Sequence, residues 1–363
     1  MDVMNSSRYL RRERPIPMFR GAGWFRRLAV LAGAIAVALH QPVASSQALG
    51  EPAGRIAIVN KAPARMTVVG LQEQATREFT VGYLPHEVVA AGRLVFVSNY
   101  GSAHVRSSDL TNNPGNTLSA IDLARPDSAP AIIDLGAGRC APHGLAVSPD
   151  QRRLYVTCEG RQEVLALDVP SRKTLHAIRI NQAGSHMLVV SPDGARVYVT
   201  NFWHGTVTVL DLTARRIVAH VATGSGTEGI GISPDGRHIY TSSVYINEIV
   251  KIDTSTLQVV GRRVMDNCLG AVRVVPTPGD GRTLVVNCAD NGRVLLVDAD
   301  ALTIRHSMSV GTQPIGITVP DDRFAYVANM VDNTISVIDI RRGAVARTIP
   351  AGDNPDGIVF IPL

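Results

Sequence analysis

The sequence predicts an all-β fold, a seven-bladed β-propeller of four-stranded blades, on three observations. Short runs rich in β-branched and aromatic residues alternate with turn segments, a pattern that indicates strands joined by hairpins. From Tyr155 onward these runs recur every 42 to 44 residues, and a period near 40–45 is typical of propeller blades. Seven copies of the repeat can be aligned along the chain.

The clearest copy covers residues 191–211. Its SPDG segment at 191–194 is typical of a turn, because proline fixes φ and glycine accepts a positive φ. The RVYVT run at 196–200 then predicts a buried strand, b, and TVTVL at 206–210 predicts a strand c. A strand a precedes the turn and a strand d follows c. Two strands cannot bury both of their faces, so each unit requires neighbouring units.

The two ends of the repeat array complement each other. The first copy, from residue 55, lacks a strand a, whereas residues 354–360 have the pattern of a strand a with no strand after it. We therefore expect the C-terminal strand to complete blade one, which closes the ring and removes free sheet edges. One loop insertion, residues 101–116, separates strands b and c of blade two.

Residues 1–48 differ from the rest in composition. Arginines precede a short apolar run at 28–39, and Ser46-Gln47-Ala48 offers a small-x-small cleavage site. This layout predicts a signal peptide over residues 1–48 and one propeller domain over residues 49–363. We expect a periplasmic or secreted protein with no stable membrane span after cleavage. The alternative is an uncleaved N-terminal anchor.

The formal net charge of +5 comes from this N-terminal segment. Residues 1–48 hold seven of the 36 basic residues and two of the 31 acidic ones, which leaves 29 of each in the remainder. A neutral domain has no electrostatic basis for binding nucleic acid or anionic lipid. We expect a small-molecule ligand or substrate instead, and the oligomeric state stays open.

The strand-b segments VYVTN at 197–201 and YVAN at 326–329 resemble the YVTN-type β-propeller family, whose members are exported seven-bladed proteins. The resemblance extends over residues 55–361. It implies the fold, because the motif describes how strands pack. Relatives include uncharacterised envelope proteins, heavy subunits of quinoprotein dehydrogenases and propellers that handle d1-type haem, so the resemblance leaves the function open.

Strand a lines the central channel of a propeller, so the residue that opens each strand a lies at one channel mouth. In five consecutive blades this residue is a histidine or a carboxylate. From blade one to blade five these are Asp356, His86, His143, His186 and Glu228. Blade six contributes Ala271 or a neighbour, and blade seven Ile315.

Imidazoles beside carboxylates are typical ligands of Zn, Cu or Fe, whereas Ca²⁺ sites consist almost wholly of oxygen atoms. We therefore predict one transition metal ion, bound by His86, His143, His186 and Glu228. Glu228 and Asp356 are the candidate catalytic residues, as a further ligand, an orienting group or a general base. The alternatives are polar residues that bind water, or histidines that bind an organic anion. The pattern departs from the carboxylate- and asparagine-based calcium site of propeller lactonases.

Loops between strands b and c open at the same mouth and form the predicted substrate-binding wall. The alternative is an ordinary solvated loop. The candidate substrate-binding residues are Tyr100, His104, Arg106, Trp203, His204 and Tyr245.

The four cysteines occupy equivalent positions in blades three and six. In each blade, one cysteine precedes strand a and the other lies at the end of strand b. Because strands a and b are antiparallel, these ends are adjacent, which predicts the disulfides Cys140–Cys158 and Cys268–Cys288. Thiolate metal ligands are disfavoured, because no CxxC spacing is present.

The leading functional hypothesis is an exported propeller with a metal at its channel mouth, acting as a lyase, hydrolase or oxidoreductase on a small molecule. A second is a non-catalytic envelope binding or scaffold protein. A third is a propeller that handles d1-type haem, with one histidine as axial ligand.

Overall fold

The computed structural model describes residues 50–73, 75–101 and 115–363. The predicted signal peptide and most of the loop insertion, with His104 and Arg106, lie outside these residues. The described residues form seven four-stranded antiparallel sheets and one short 3₁₀ helix, Ala289–Asn291. The predicted all-β seven-bladed propeller is therefore confirmed.

Each blade consists of strands a to d in order from the channel outward. Blade one comprises β28 (Pro355–Pro362), β1 (Gly54–Asn60), β2 (Arg65–Gly70) and β3 (Thr76–Thr80). Blade two comprises β4 (Pro85–Ala91), β5 (Leu94–Asn99), β6 (Thr117–Asp122) and β7 (Ala131–Asp134). Blade three comprises β8 (Pro142–Val147), β9 (Arg153–Cys158), β10 (Glu163–Asp168) and β11 (Thr174–Arg179). Blade four comprises β12 (Ser185–Val190), β13 (Arg196–Asn201), β14 (Thr206–Asp211) and β15 (Arg216–Ala222).

The remaining three blades repeat the same order. Blade five comprises β16 (Thr227–Ile232), β17 (His238–Ser243), β18 (Glu248–Asp253) and β19 (Val259–Val264). Blade six comprises β20 (Ala271–Pro276), β21 (Thr283–Cys288), β22 (Arg293–Asp298) and β23 (Ile304–Ser309). Blade seven comprises β24 (Pro314–Thr318), β25 (Phe324–Asn329), β26 (Thr334–Asp339) and β27 (Ala344–Pro350).

The C-terminal strand closes the ring as predicted. β28 pairs with β1 in antiparallel register, with Ala57 opposite Val359. The inner strands contact one another in the cyclic order β28, β4, β8, β12, β16, β20, β24 and back to β28. No inner strand is left at an edge of the ring, so this closure also removes an aggregation hazard.

The hydrophobic core lies between the blades. Each of seven buried clusters in the described chain is shared by two adjacent blades. In β13, Val197 and Val199 pack toward blade three, whereas Tyr198 packs toward blade five. Successive side chains of a strand point to opposite faces, so an apolar run in strand b is buried on both faces.

The polar residues at the end of the strand-b motif form hydrogen bonds with neighbouring strands. Asn201 Nδ2 donates to the hydroxyls of Thr206 and Thr208 on strand c, at 3.0 and 2.7 Å. Thr200 Oγ1 accepts a hydrogen bond from Met187 N at 3.0 Å and donates to Glu228 O of the next blade at 2.8 Å. The threonine therefore satisfies backbone groups of two neighbouring strands a.

Both predicted disulfides are present. Cys140 and Cys158 have Cα atoms 4.5 Å apart, and Cys268 and Cys288 have Cα atoms 5.1 Å apart. Each joins the start of strand a to the end of strand b within one blade, which fits an oxidising compartment. Over the described ranges, no helix has the length and apolar character that crossing a membrane requires.

The segment before β1 is anchored to blade seven. The Glu51 carboxylate accepts hydrogen bonds from Arg347 Nε and Nη2 at 2.7 and 2.9 Å, and from the Tyr326 hydroxyl at 2.9 Å. The Glu51 and Arg347 side chains are almost completely buried. A buried, hydrogen-bonded ion pair thus joins the blade completed by the C-terminus to the blade before it.

Candidate functional site

The site begins with an irregularity at the start of strand a. In blade three, Pro142 pairs with Cys158, but the next ladder pair is Leu145 with Val156. The same shift occurs in blades two, four, five and seven. The second and third residues of these strands are therefore released from the regular ladder, as in a β-bulge. The second residue is the position at which histidines and carboxylates were predicted.

Glycine at the third residue brings neighbouring strands a close together. A Cβ on Gly144 would lie 2.6 Å from the carbonyl oxygen of His186, and a Cβ on Gly357 would lie 2.5 Å from that of His86. Any side chain would separate these strands. Because these strands approach closely, the second residues of adjacent blades lie next to one another at the channel mouth.

The three predicted histidines form a row, which we call the histidine row. The ring centroids of His143 and His186 are 3.8 Å apart, and those of His86 and His143 are 4.8 Å apart. The Tyr100 ring lies 4.6 Å from His86 and 5.6 Å from His143. His143 is only 4% exposed, yet its Nδ1 atom has no hydrogen-bond partner among the described residues. A buried, unpartnered nitrogen is costly unless a ligand uses it.

His186 is held between two carboxylates. Its Nδ1 atom lies 2.6 Å from Glu159 Oε1, and its Nε2 atom lies 3.6 Å from Glu228 Oε1. Burial alone would lower the pKa of His186, but the hydrogen bonds to Glu159 and Glu228 raise it to about 9. The Glu159 carboxylate also accepts a 2.7 Å hydrogen bond from the Tyr100 hydroxyl.

The other two histidines are neutral. Burial, followed by the positive charge of Lys61, lowers the pKa of His86 to about 3. Burial, followed by the neighbouring His186, holds the pKa of His143 well below its ordinary value. Neutral imidazole is the form of histidine that binds metal ions.

Charged residues surround the histidine row on the channel side. Lys61 Nζ lies 2.7 Å from Asp356 Oδ2, and His86 Nδ1 lies 3.3 Å from the same oxygen. Burial would raise the pKa of Asp356, but Lys61 lowers it. Arg273 contacts the carboxylate of Glu87 and, at 3.5 Å, that of Glu228. Through these pairs the buried charges compensate one another.

Blade six follows a different register from its neighbours. Ala271 pairs with Cys288 in the ladder and is completely buried. The charged group of this blade is instead Arg273, two residues further along. Its backbone N–H donates to Asn287 Oδ1 at 2.7 Å.

One group of donor atoms could hold a metal ion. One ligand atom from each of His143, Glu159 and His186 lies within 4.8 Å of the others. Ligand atoms at about 2.0–2.2 Å from one ion can be up to roughly 4.4 Å apart, so small side-chain rotations would suffice. The free Nδ1 atom of His143 fits this use. His86 and Glu228, which were also predicted as ligands, contact this group but do not belong to it.

An aromatic wall extends outward from His186. The Phe202 ring lies 5.8 Å from His186, 4.7 Å from Trp203 and 5.3 Å from Tyr245. Trp203 is 69% exposed and Tyr245 is 58% exposed. His204 is exposed as well, but its Nδ1 atom accepts a 2.8 Å hydrogen bond from Ala183 N. The wall therefore consists of two predicted residues and Phe202, which the sequence reasoning missed.

The sequence reasoning missed two further sets of residues. Lys61, Glu159 and Phe202 each follow directly after strand b, as Tyr100 does, so aligning the exits of strand b would have found them. Glu87 and Arg273 are the third residues of their strands. Four other blades carry glycine at the third residue. These glycines are Gly144, Gly229, Gly316 and Gly357. A charged residue at a position where four other blades carry glycine could have identified Glu87 and Arg273 from the sequence.

The repeated blades and the closed ring define a class, the seven-bladed propellers with a channel-mouth site. Within it, the chain belongs to the lactonase family of seven-bladed β-propellers. The family model described as "Lactonase, 7-bladed beta-propeller" matches residues 48–301. No curated protein matches the chain significantly.

Solved structures show the same fold. Hydrazine synthase from Kuenenia stuttgartiensis is similar with a TM-score of 0.67 and 19% identity, over 85% of this chain and 99% of that chain. A functionally unknown protein from Desulfotomaculum acetoxidans has a TM-score of 0.68 and 13% identity over the same shares. The dihydro-heme d1 dehydrogenase NirN in complex with DHE has a TM-score of 0.59 and 14% identity, over 85% of this chain and 75% of that chain.

Proposed function

We propose that the channel mouth binds one transition metal ion and that the protein is a metal-dependent enzyme acting on a small molecule. One observation carries the proposal. His143, Glu159 and His186 offer three donor atoms within 4.8 Å, and the buried Nδ1 atom of His143 has no partner in the described chain. His143 is neutral because its pKa is lowered by burial, so one ligand is already in its binding form, whereas His186, whose pKa is raised to about 9, would release a proton when the ion binds.

The donor set favours Zn or Fe, with Cu as the further candidate. Two histidines and one carboxylate are the protein ligands of several zinc hydrolases and of non-haem iron oxygenases. Ca²⁺ is disfavoured, because it prefers oxygen ligands. When bound, such an ion polarises a substrate carbonyl or lowers the pKa of a bound water. The family's name makes a hydrolase acting on a small molecule the first reaction class to test.

Neighbouring residues have proposed roles of their own. Glu228 orients His186 through Nε2, and Asp356, whose pKa is lowered by Lys61 despite burial, is the candidate general base. Tyr100 holds Glu159. The proposed substrate-binding residues are His104 and Arg106 of the loop insertion, together with Trp203, His204 and Tyr245.

We also propose that the chain is an exported YVTN-type propeller that acts in the periplasm or outside the cell. Two disulfides support an oxidising compartment. Amino-terminal sequencing of the protein recovered from the producing cells should begin near Leu49. Recovery of the full-length chain from the cytoplasm would contradict export.

Metal titration of the purified protein tests the central proposal. After chelator treatment, Zn²⁺, Fe²⁺ or Cu²⁺ should bind at about one ion per chain. The variants His143→Ala, Glu159→Gln and His186→Ala should each weaken binding by roughly 100-fold or more, because each removes or neutralises a ligand. His204→Ala is the matched control, since that exposed histidine bonds to Ala183 instead. Unchanged metal affinity in the double variant His143→Ala with His186→Ala would refute the proposal and leave a non-catalytic envelope binding protein.

A second candidate function, the handling of a d1-type haem, is suggested by the similarity to NirN. A neutral histidine of the row could then be an axial ligand. The absorption spectrum separates the two proposals. A Soret band in the purified protein, or one that develops when haem is added and disappears in His143→Ala, supports haem. A colourless protein that takes up Zn²⁺ at unit stoichiometry supports the metal site alone.

A further inference from the structure

The second residue of strand a is apolar in two blades. It is Val272 in blade six and Ile315 in blade seven. A Cβ on Gly229 would lie 2.4 Å from Val272 O, as one on Gly144 would approach His186 O. Val272 and Ile315 therefore occupy positions equivalent to those of the histidines.

The equivalence of Ile315 rests on a hydrogen bond that joins neighbouring blades. Asn287 Nδ2 donates to Ile315 O at 2.5 Å. In blade three, Thr157 Oγ1 donates in the same way to His186 O at 2.7 Å. Blade seven also shows the ladder shift that releases the second and third residues in the histidine-bearing blades.

The residues that follow strand b divide in the same way. In blades one to three they are Lys61, Tyr100 and Glu159, all polar, whereas Phe202 begins the apolar series in blade four. In blades five to seven they are Val244, Ala289 and Met330. At these two positions the mouth is polar over blades one to three and apolar over blades six and seven, whereas blades four and five combine a polar second residue with an apolar residue after strand b. We call blades five to seven the apolar half of the mouth and the other blades its polar half.

Exposed hydrophobic side chains continue the apolar half onto its rim. Tyr245 and Ile246 lie in the b–c loop of blade five, Leu269 lies just before strand a of blade six, and Val331 lies in the b–c loop of blade seven. All four are among the exposed large hydrophobic residues. Over the other four blades, the described exposed large hydrophobic residues at equivalent places are Tyr83 and Trp203. Hydrophobic residues grouped on one rim mark a binding surface more often than scattered single ones do.

The charges of the polar half, and those of Glu228 and Arg273 in blades five and six, are already paired internally. Lys61 faces Asp356, and Arg273 faces Glu87 and Glu228. A ligand therefore gains little from long-range charge. Its affinity must come from the metal site and from burial of apolar surface on the other half.

We propose that the substrate is an amphipathic small molecule, with a metal-binding head at His143, Glu159 and His186 and a hydrocarbon or aryl body over the apolar half. The inference rests on the proposed metal site for the head and on blades five to seven for the body. A small molecule fits better than a protein partner, because His143 is 4% exposed and only a slender group can reach it.

Two hydroxamic acids test the inference on zinc-loaded protein by calorimetry. Acetohydroxamic acid supplies a chelating head with almost no body, and octanohydroxamic acid adds six methylene groups to the same head. Octanohydroxamic acid should bind roughly 10-fold tighter or better, since burying each methylene favours binding. The double variant Leu269→Ser with Val331→Ser should weaken the binding of octanohydroxamic acid by about 5-fold. Its affinity for acetohydroxamic acid should be unchanged. The control is Ile132→Ser, which removes an equally exposed apolar side chain from the outer strand β7.

The outcomes distinguish the two proposals. Failure of the protein to take up zinc would overturn the metal site, whereas failure of acetohydroxamic acid to bind the zinc-loaded protein would overturn the proposed binding of a substrate head and hence the amphipathic substrate. Equal affinities for the two acids, with the metal site intact, would overturn the amphipathic substrate alone. Equal affinities together with binding of phosphatidylcholine vesicles, lost in the Leu269 and Val331 variant, would assign the rim to a lipid surface and would also overturn it.

Discussion

At the scale of single residues, the histidine row concentrates positive charge on one member. His186 lies between Glu159 and Glu228, and its pKa rises to about 9 because these hydrogen bonds outweigh the cost of burial. Burial and the neighbouring cations lower the pKa of His86 and of His143. Three adjacent buried imidazoles cannot all be charged, so the carboxylates select which one is.

The pKa of His186 predicts a pH-dependent stability in metal-free protein. A folded-state pKa raised from 6.5 to about 9 stabilises the fold fully below pH 6.5, and this contribution disappears as the pH rises through 9. We therefore expect His186→Gln to lower the free energy of unfolding by roughly 2–3 kcal/mol more at pH 6 than at pH 9.5. Urea denaturation at both values, with chelator present, measures the difference.

His220→Gln provides the control, because the pKa of His220 is lowered, chiefly by burial. The loss in free energy of unfolding caused by His220→Gln should not decrease between pH 6 and pH 9.5. An equal cost of His186→Gln at the two pH values would mean that His186 is neutral in the metal-free protein.

The residues that the sequence predicted were those fixed by the repeat. Aligning strands a identified His86, His143 and His186, because blade geometry places equivalent residues around one axis. Glu159 could not be assigned in that way. Its role depends on a side chain reaching His186 in the next blade, and periodicity along the chain does not specify such contacts.

At the scale of elements, the two disulfides offer a natural comparison. Both join the start of strand a to the end of strand b, but Cys158 is followed by Glu159 and Cys288 by Ala289. Backbone hydrogen bonds reinforce the first junction, with Gly160 N donating to Cys140 O at 2.9 Å. The first disulfide therefore positions a proposed metal ligand, and the second does not.

Removing each disulfide in turn should have the same effect on stability but different effects on metal affinity. The pairs Cys140→Ser with Cys158→Ser and Cys268→Ser with Cys288→Ser should each cost about 3 kcal/mol of stability by the loop-entropy estimate. Only the first pair should weaken metal binding, by roughly 10-fold or more, because it frees the segment carrying Glu159. Metal titration of the two double variants measures whether only the first one loses metal affinity. Equal losses of metal affinity would show that the disulfides act only on global stability.

The strands themselves were predictable because their apolar runs and turns repeat, but the irregularities within strand a were not. The shift between Pro142 and Leu145 leaves two residues outside the ladder, whereas blade six shifts between Ala271 and Arg273. Blade six was predicted to contribute Ala271 or a neighbour, and its charged residue is Arg273, the third residue of the strand. A bulge depends on which backbone groups find partners, and this information is not contained in the hydrophobic period.

At the scale of the whole molecule, stability depends on closing the ring. The Glu51–Arg347 ion pair is buried where the segment before β1 meets blade seven. Arg347→Ala would leave the Glu51 carboxylate buried without a cation, and we expect a loss of about 3–5 kcal/mol. Thermal and urea unfolding measure this loss.

The control is Arg65→Ala, which breaks the ion pair with Glu78, in which both side chains are 48% exposed. That change should cost less than about 1 kcal/mol. Similar costs for the two variants would show that the buried pair does not support ring closure.

The closed ring could be predicted by counting strands, because the first repeat lacks a strand a and the C-terminal segment has the pattern of one additional strand a. The chemistry at the mouth was less accessible, since the same fold carries many functions and the motif describes packing alone. What could be predicted was that polar residues converge at the mouth. The structure adds which donor atoms face one another.

Anomalous X-ray diffraction from crystals of the metal-loaded protein tests the central claim most directly. We expect a single strong peak at the channel mouth, about 2.0–2.2 Å from a nitrogen of His143, a nitrogen of His186 and an oxygen of Glu159. A peak elsewhere, or no peak after saturation with Zn²⁺, Fe²⁺ and Cu²⁺ in turn, would contradict it.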